Sequence, residues 1–292
     1  MKLKGVIPPM ITPFKENGDV DLENLKYLVA FLTKYVDGLF ITGSYGSGPL
    51  MNVEERKMVM EVTIQAAEGV VPVIPMVGTT NTRDSVELAK HAQAHGAAAV
   101  AAVGPFYFNY KEEELLNFYS DLIDAVRIPV YLYNNPKFQG YSIDFNTVKK
   151  LKERGLAGIK DATFDIMIHA QYQRQLKDDH FDVVLGTEAM FASASILGCQ
   201  AFIPGLANAY PEINKKMYEE GMTGNIEACV KTQFLINELR EVMYLARSTQ
   251  LAIYVMLELR GIMKTYPRKP FLPATEQEKQ AIRTELQRLH VL

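Results

Sequence analysis

Eight short apolar runs recur along this chain, most followed by a stretch of helical pattern, and that alternation constrains the fold more than any other feature. The runs are GVIPPMI (5–11), GLFIT (38–42), VPVIPM (71–76), AAVAAV (98–103), IPVYLY (128–133), AGIK (157–160), FDVVLG (181–186) and QAFIP (200–204). They lack a polar–apolar alternation, as expected of strands covered on both faces. Helix-type periodicity fills 22–35, 53–68, 82–95, 111–126, 143–154, 165–176 and 189–197. Asn81 precedes the third of these and Asp144 sits near the start of the fifth, both as helix-start signals. Strand and helix repeated to eight strands has two main solutions, an open doubly wound sheet or a closed barrel. No G-x-G-x-x-G follows the first strand, which weighs against the dinucleotide-binding sheet. Eight units within about 200 residues fit an α/β protein of the (β/α)8 TIM barrel type.

Beyond residue 210 the strand signal stops. Residues 1–210 are read as the barrel core, and 211–292 as the last barrel helix plus a C-terminal helical extension, in one structural unit. MYEEGMTGN (217–225) marks a break, YPRKPFLP (266–273) a proline-rich connector, and Thr275-x-x-Glu278 a capping box for a final helix. The net charge of −3 and the lack of a basic cluster argue against nucleic acid as a partner. The longest apolar stretch, Gly96 to Phe108, is too short for a membrane span. Cys199 and Cys229 form no disulfide framework and the N-terminus has no signal-peptide pattern, so the expected location is cytoplasmic.

In such a barrel, chemistry sits where strands end. The strand ends supply GSYG (43–46), GPFY (104–107), Tyr133 with NNP (134–136), Lys160, GTE (186–188) and IPG (203–205). Lys160 closes an apolar run. Side chains alternate along a strand, so if Ile159 packs on the helices, Lys160 points into the barrel. An unperturbed lysine, pKa ~10.4, is neutral in only about one molecule in 2,500 at pH 7. Burial would lower that pKa and make the amine a Schiff-base nucleophile. The alternative is a lysine that ends its strand in solvent. Tyr133 ends the neighbouring strand and offers a proton relay beside such an amine, or simply an aromatic that fills the barrel end. None of the histidines His91, His95, His169, His180 and His290 falls at a strand end, and HAQAH lacks the acid of H-E-x-x-H, so no catalytic metal is expected. No Lys or Arg stands in the loops after strands 7 and 8 before Lys215, which favours an unphosphorylated substrate.

ITGSYGSGPL (41–50) is G-x-x-G-x-G without a following G-K-[ST]. Together with YLYNNPKFQGYSI and GIKDAT it resembles the dihydrodipicolinate synthase / N-acetylneuraminate lyase superfamily of class I aldolases. The resemblance covers nearly the whole chain. It implies that Lys160 forms an imine with pyruvate and that Tyr133 shuttles protons. It also implies that Ser44 and Tyr45, in the loop opened by Gly43, hold the pyruvate carboxylate, and that the carbonyl of Ile203 frames the imine site. Tyr107 is implied to act across a subunit interface, in a homotetramer. Gly186 and Glu188 complete the expected binding set, Glu188 either as a ligand for substrate hydroxyls or as a solvated helix start. The synthases carry an arginine where this chain has Phe138, a glutamate where it has Ser47, and commonly a threonine where it has Tyr45. Ala162 stands where the sugar-acid aldolases and sialic acid lyases often have threonine. GSYGSGPL and YPRKP are most similar to the 2-keto-3-deoxygluconate-type aldolases. The expected activity is cleavage of a 2-keto-3-deoxy sugar acid to pyruvate and an aldehyde, with no cofactor. N-acetylneuraminate lyase, 4-hydroxy-tetrahydrodipicolinate synthase and a non-catalytic 2-keto acid binding protein are the alternatives.

Overall fold

The computed structural model describes residues 2–292. Its eight strands are β1 (Gly5–Val6), β2 (Leu39–Ile41), β3 (Val73–Pro75), β4 (Val100–Val103), β5 (Val130–Asn134), β6 (Gly158–Asp161), β7 (Asp182–Leu185) and β8 (Ala201–Phe202). Every pairing between them is parallel. One ladder runs β1-β8-β7-β6-β5-β4 and a second joins β2 to β3. Two isolated bridges, Pro9 to Phe40 and Met76 to Ala101, close the ring into a TIM barrel.

The apolar run expected over 5–11 gives a strand of only two residues. Pro8 and Pro9 lack the N–H a longer ladder needs. The segment still follows β2, because Phe40 N donates to Pro8 O at 3.0 Å and Met10 N donates to Phe40 O at 2.8 Å.

Side chains from alternate strand positions fill two separate cores. Ile7, Phe40, Ile74, Ala101, Tyr131, Tyr133, Val184 and Ile203 pack inside the barrel. Val6, Ile41, Val100, Leu132, Ile159 and Leu185 pack outward against the helices. Ile159 and Lys160 therefore face opposite ways, with Lys160 on the inner side.

The barrel helices are α1 (Leu22–Leu32), α2 (Val53–Ala67), α3 (Thr82–Ala94), α4 (Glu112–Ala125), a short α5 (Pro136–Gln139), α6 (Phe145–Arg154), α7 (Ile166–Gln175), α8 (Phe191–Ile196) and α9 (Pro211–Met222). Asn81 caps α3 and Asp144 caps α6 through side-chain bonds to first-turn amides. The break within 217–225 falls at its end, because α9 continues to Met222 and Asn225 caps the next helix. The extension is α10 (Ile226–Met243), α11 (Thr249–Leu259) and α12 (Glu276–Arg288), the last opened by the Thr275/Glu278 capping box. One outer core runs continuously from Val6 to Leu286, so the extension shares the core of the barrel. Among the described residues no helix is long and apolar enough to cross a membrane.

Candidate active site

Parallel pairing sets Lys160 beside Tyr133 on β5 and Val184 on β7. Lys160 is 4% exposed. Its Nζ lies 3.9 Å from the centroid of the Phe40 ring and 3.8 Å from that of Tyr133. Among the described residues no carboxylate pairs with it. Burial holds its pKa well below the ordinary lysine value of 10.5, because an ammonium ion out of water loses hydration that ring faces replace only in part. The strand end carrying it is anchored from behind. Asp161 Oδ2 sits 3.1 Å from His169 Nδ1, with both side chains fully buried. Burial pulls the His169 pKa down, but its bonds to Asp161 and Cys199 outweigh that and raise it to about 9.

Tyr133 is buried, with its ring edge-on to Phe40 at 5.8 Å between centroids. Asn135 Nδ2 donates to its hydroxyl at 2.7 Å. The hydroxyl is thus an acceptor from one side and keeps its own proton to donate. Burial raises its pKa against hydrogen bonds with Ser44 and Asn135 that favour the anion. Tyr133 therefore stays protonated at neutral pH.

The loop after β2 turns sharply. Gly43 O accepts from Gly48 N at 3.0 Å and Ser44 O from Ser47 N at 3.1 Å. Only glycine fits at 48, where a Cβ would stand 1.9 Å from Thr42 O. Thr42 itself adopts φ 54°, a left-handed conformation that costs a β-branched residue about 1–3 kcal/mol. Gly43 closes the turn and does not line the cavity beside Lys160, whereas Ser44 and Tyr45 do. Among the described residues nothing accepts a hydrogen bond from the Ser44 or Tyr45 amide.

The extension holds this loop in place. Gln250 Nε2, at the start of α11, donates to Tyr45 O at 3.1 Å and also to Ser44 O. Thr249 bonds the Tyr45 hydroxyl. Burial and the nearby Glu188 charge raise the Tyr45 pKa, against the Thr249 bond and the Arg240 charge. The Tyr45 ring lies over Gly205, where an added Cβ would be 2.5 Å from it.

Glu188 is not a solvated helix start. Its side chain is 2% exposed, and its two oxygens accept from Gly205 N at 3.0 Å and Arg240 Nη1 at 2.8 Å. A buried carboxylate stripped of its partner costs about 3–5 kcal/mol, so Arg240 is a structural necessity for Glu188. Sequence reading missed Arg240. It comes from α10, far from any strand end, and no motif surrounds it.

Gly186, Ala162 and Ile203 also border the cavity, whose volume is about 120 Å³. Ile203 N donates to Leu185 O at 2.8 Å, while nothing among the described residues donates to the Ile203 carbonyl. Thr163 turns its hydroxyl away, donating to Asp161 Oδ1 at 2.7 Å, so β6 offers the cavity the Ala162 methyl instead. Phe138 stands at the mouth beside Lys137. Tyr107 does not reach this cavity within its own chain. It is 87% exposed, at φ 87°, stacked edge-on to Phe108.

A TIM barrel that buries an unpaired lysine at the end of β6, beside a tyrosine from β5, has the form of a class I aldolase or lyase. The chain belongs to the dihydrodipicolinate synthetase family, which it matches over residues 2–289. It is 29% identical to a 4-hydroxy-tetrahydrodipicolinate synthase of Methanopyrus kandleri, over 100% of this chain and 98% of that protein. It is also 29% identical to a probable 2-dehydro-3-deoxy-D-pentonate aldolase of Escherichia coli K12, over 96% of this chain and 95% of the relative. Among solved structures, a prophage protein of the dihydrodipicolinic acid synthase family from E. coli K12, in complex with pyruvate, superposes with a TM-score of 0.95. It is 28% identical, with 99% of each chain covered.

Proposed function

We propose that this protein is a pyruvate-dependent class I aldolase that reversibly cleaves a 2-keto-3-deoxy sugar acid to pyruvate and an aldehyde. The observation that carries the reading is Lys160: a buried amine with no carboxylate partner, held against Phe40 and Tyr133. Lys160 Nζ attacks the keto carbon and water leaves, giving a protonated imine. The Tyr133 hydroxyl takes the proton of the substrate's C4 hydroxyl as it passes its own to Ser44, its hydrogen-bond partner, which hands one on to solvent. The C3–C4 bond then breaks, the aldehyde departs, and its electrons pass into the imine to leave an enamine. Protonation of the enamine carbon and hydrolysis release pyruvate and restore the amine. The unpartnered Ser44 and Tyr45 amides suit the substrate carboxylate, which fixes the keto carbon over Nζ.

Lys137 supports a second reading, synthesis of 4-hydroxy-tetrahydrodipicolinate. It brings a cation to the mouth beside Phe138, where a second carboxylate would lie. A screen that couples released pyruvate to lactate dehydrogenase, run on 2-keto-3-deoxy-pentonates, 2-keto-3-deoxy-hexonates and N-acetylneuraminate, separates these readings when paired with aspartate semialdehyde condensation. Turnover of a keto-deoxy acid at least about tenfold above the others is expected, a difference of ~1.4 kcal/mol in transition-state binding. Condensation of aspartate semialdehyde as the fastest reaction would overturn the proposal.

The same reading makes the enzyme a homotetramer in which Tyr107 serves a neighbouring subunit. Mixed refolding of Lys160→Ala with Tyr107→Phe chains should then restore activity above either variant alone. A sum no greater than the two separate activities would exclude the exchange.

A further inference from the structure

We propose that Glu61, His91 and His95 form a binding site for a divalent transition-metal ion of the zinc type on the outer helical layer. His91 lies in the last turn of α3 and His95 is its C-cap, with ring centroids 4.1 Å apart. The acid missing from HAQAH comes from the neighbouring helix: Glu61, on α2, places Oε1 2.9 Å from His91 Nε2 and 3.9 Å from His95 Nε2. The three ligand atoms fall within 4.8 Å of one another. Tetrahedral zinc with bonds of 2.0–2.1 Å sets its ligands about 3.3 Å apart, a separation bracketed by the two His–Glu distances.

Two further features favour a metal over a simple ion pair. His95 Nδ1 lies 2.9 Å from His91 O, so the ring donates there and leaves the Nε2 lone pair free. That is the backbone-anchored tautomer typical of histidine ligands. His91 Nε2 is buried, and despite its closeness to Glu61 it makes no properly aligned hydrogen bond among the described residues. Glu61 is half exposed and its carboxylate is free to swing outward to admit the ion. The adjacent cation, Lys57, is already paired with Glu54 at 2.8 Å and Glu87 at 2.5 Å, which offsets its repulsion.

The site would clamp a particular quarter of the barrel. The β2–β3 ladder joins the remaining strands through the single bridges at Pro9–Phe40 and Met76–Ala101 and a few flanking backbone bonds, such as Ala98 N to Val73 O at 3.1 Å. The helix α2 packs on β3 and α3 on β4, so an ion bridging them braces the β3–β4 junction, where the strand pairing is a single bridge. Phe40, which contacts Lys160, is on β2.

Chelator-treated protein titrated with ZnCl2 by calorimetry should bind one ion per chain. CoCl2 in its place should give the visible absorption of low-symmetry four-coordinate cobalt. The double variant His91→Gln/His95→Gln should lose both signals, and Glu61→Gln should weaken zinc affinity at least tenfold. Melting temperature should rise with zinc in the wild-type chain and stay flat in the double variant. Since each variant changes only outer-layer residues, an unchanged apo melting temperature and circular dichroism spectrum would certify the fold. Equal zinc binding by the double variant would place the ion elsewhere, and no saturable binding up to millimolar ZnCl2 would refute the site.

Discussion

Replacing Lys160 by alanine should lower turnover of any 2-keto acid substrate by at least about four orders of magnitude, because the covalent route disappears and the other amine of the cavity, Lys137, stands at its mouth. Borohydride with pyruvate should add a reduced adduct to the wild-type chain, at Lys160 and nowhere else, and none to the variant. An adduct that survives Lys160→Ala would sink the imine assignment. A methionine in the same place tests the electrostatics directly. The folded-state pKa of Lys160 is depressed below 10.5 by burial, so between that depressed value and 10.5 the unfolded chain holds a proton that the folded chain does not. The resulting penalty on folding is largest at low pH and fades as pH climbs toward the ordinary lysine value. Lys160→Met should therefore melt higher than wild type at neutral pH, and the gain should shrink as pH approaches 10.5. Scanning calorimetry across that range decides it, and a variant less stable than wild type at pH 7 would contradict a desolvated amine.

Tyr133→Phe should cut kcat by about 10²–10⁴-fold while leaving the borohydride adduct in place. The imine depends on Lys160 and the carboxylate cradle, whereas carbon–carbon cleavage needs the proton transfer. The ring contacts to Lys160 and Phe40 survive in phenylalanine, but Asn135 Nδ2 loses its acceptor at 2.7 Å. An unmet buried donor costs about 1–3 kcal/mol, so a modest fall in melting temperature accompanies the kinetic loss. Loss of the adduct together with turnover would mean that Tyr133 helps form the imine. A kcat within threefold of wild type would remove it from the proton path.

Much of this was legible in the sequence because barrels place their chemistry by rule. Once the eight runs are seen as strands, β5 and β6 must be neighbours, and the period of two turns Tyr133 and Lys160 to the same side. Conversely, α5 escaped notice: Pro136–Gln139 is too short to show a period. Arg240 was invisible for a different reason. It sits in a helix whose spacing records only which face is buried, and its role comes from a carboxylate 52 residues earlier in the chain. Tyr107 was named from its strand, yet strand position alone says nothing of whether a side chain turns back over its own barrel. Glu61 illustrates the same limit for metal ligands. A motif scan along one helix cannot see an acid delivered by the helix beside it.

The contact between Tyr45 and Gly205 has an evolutionary meaning. With the Tyr45 ring present, any side chain at 205 meets it at 2.5 Å, so the two positions cannot change in either order. A lineage can first shrink residue 45 and then fill 205, passing only through viable intermediates. Once 205 is filled, the return of a tyrosine at 45 is blocked until the glycine is restored. The pair constrains the order of substitutions, and reconstructed ancestors of this branch should carry glycine at 205 wherever they carry tyrosine at 45.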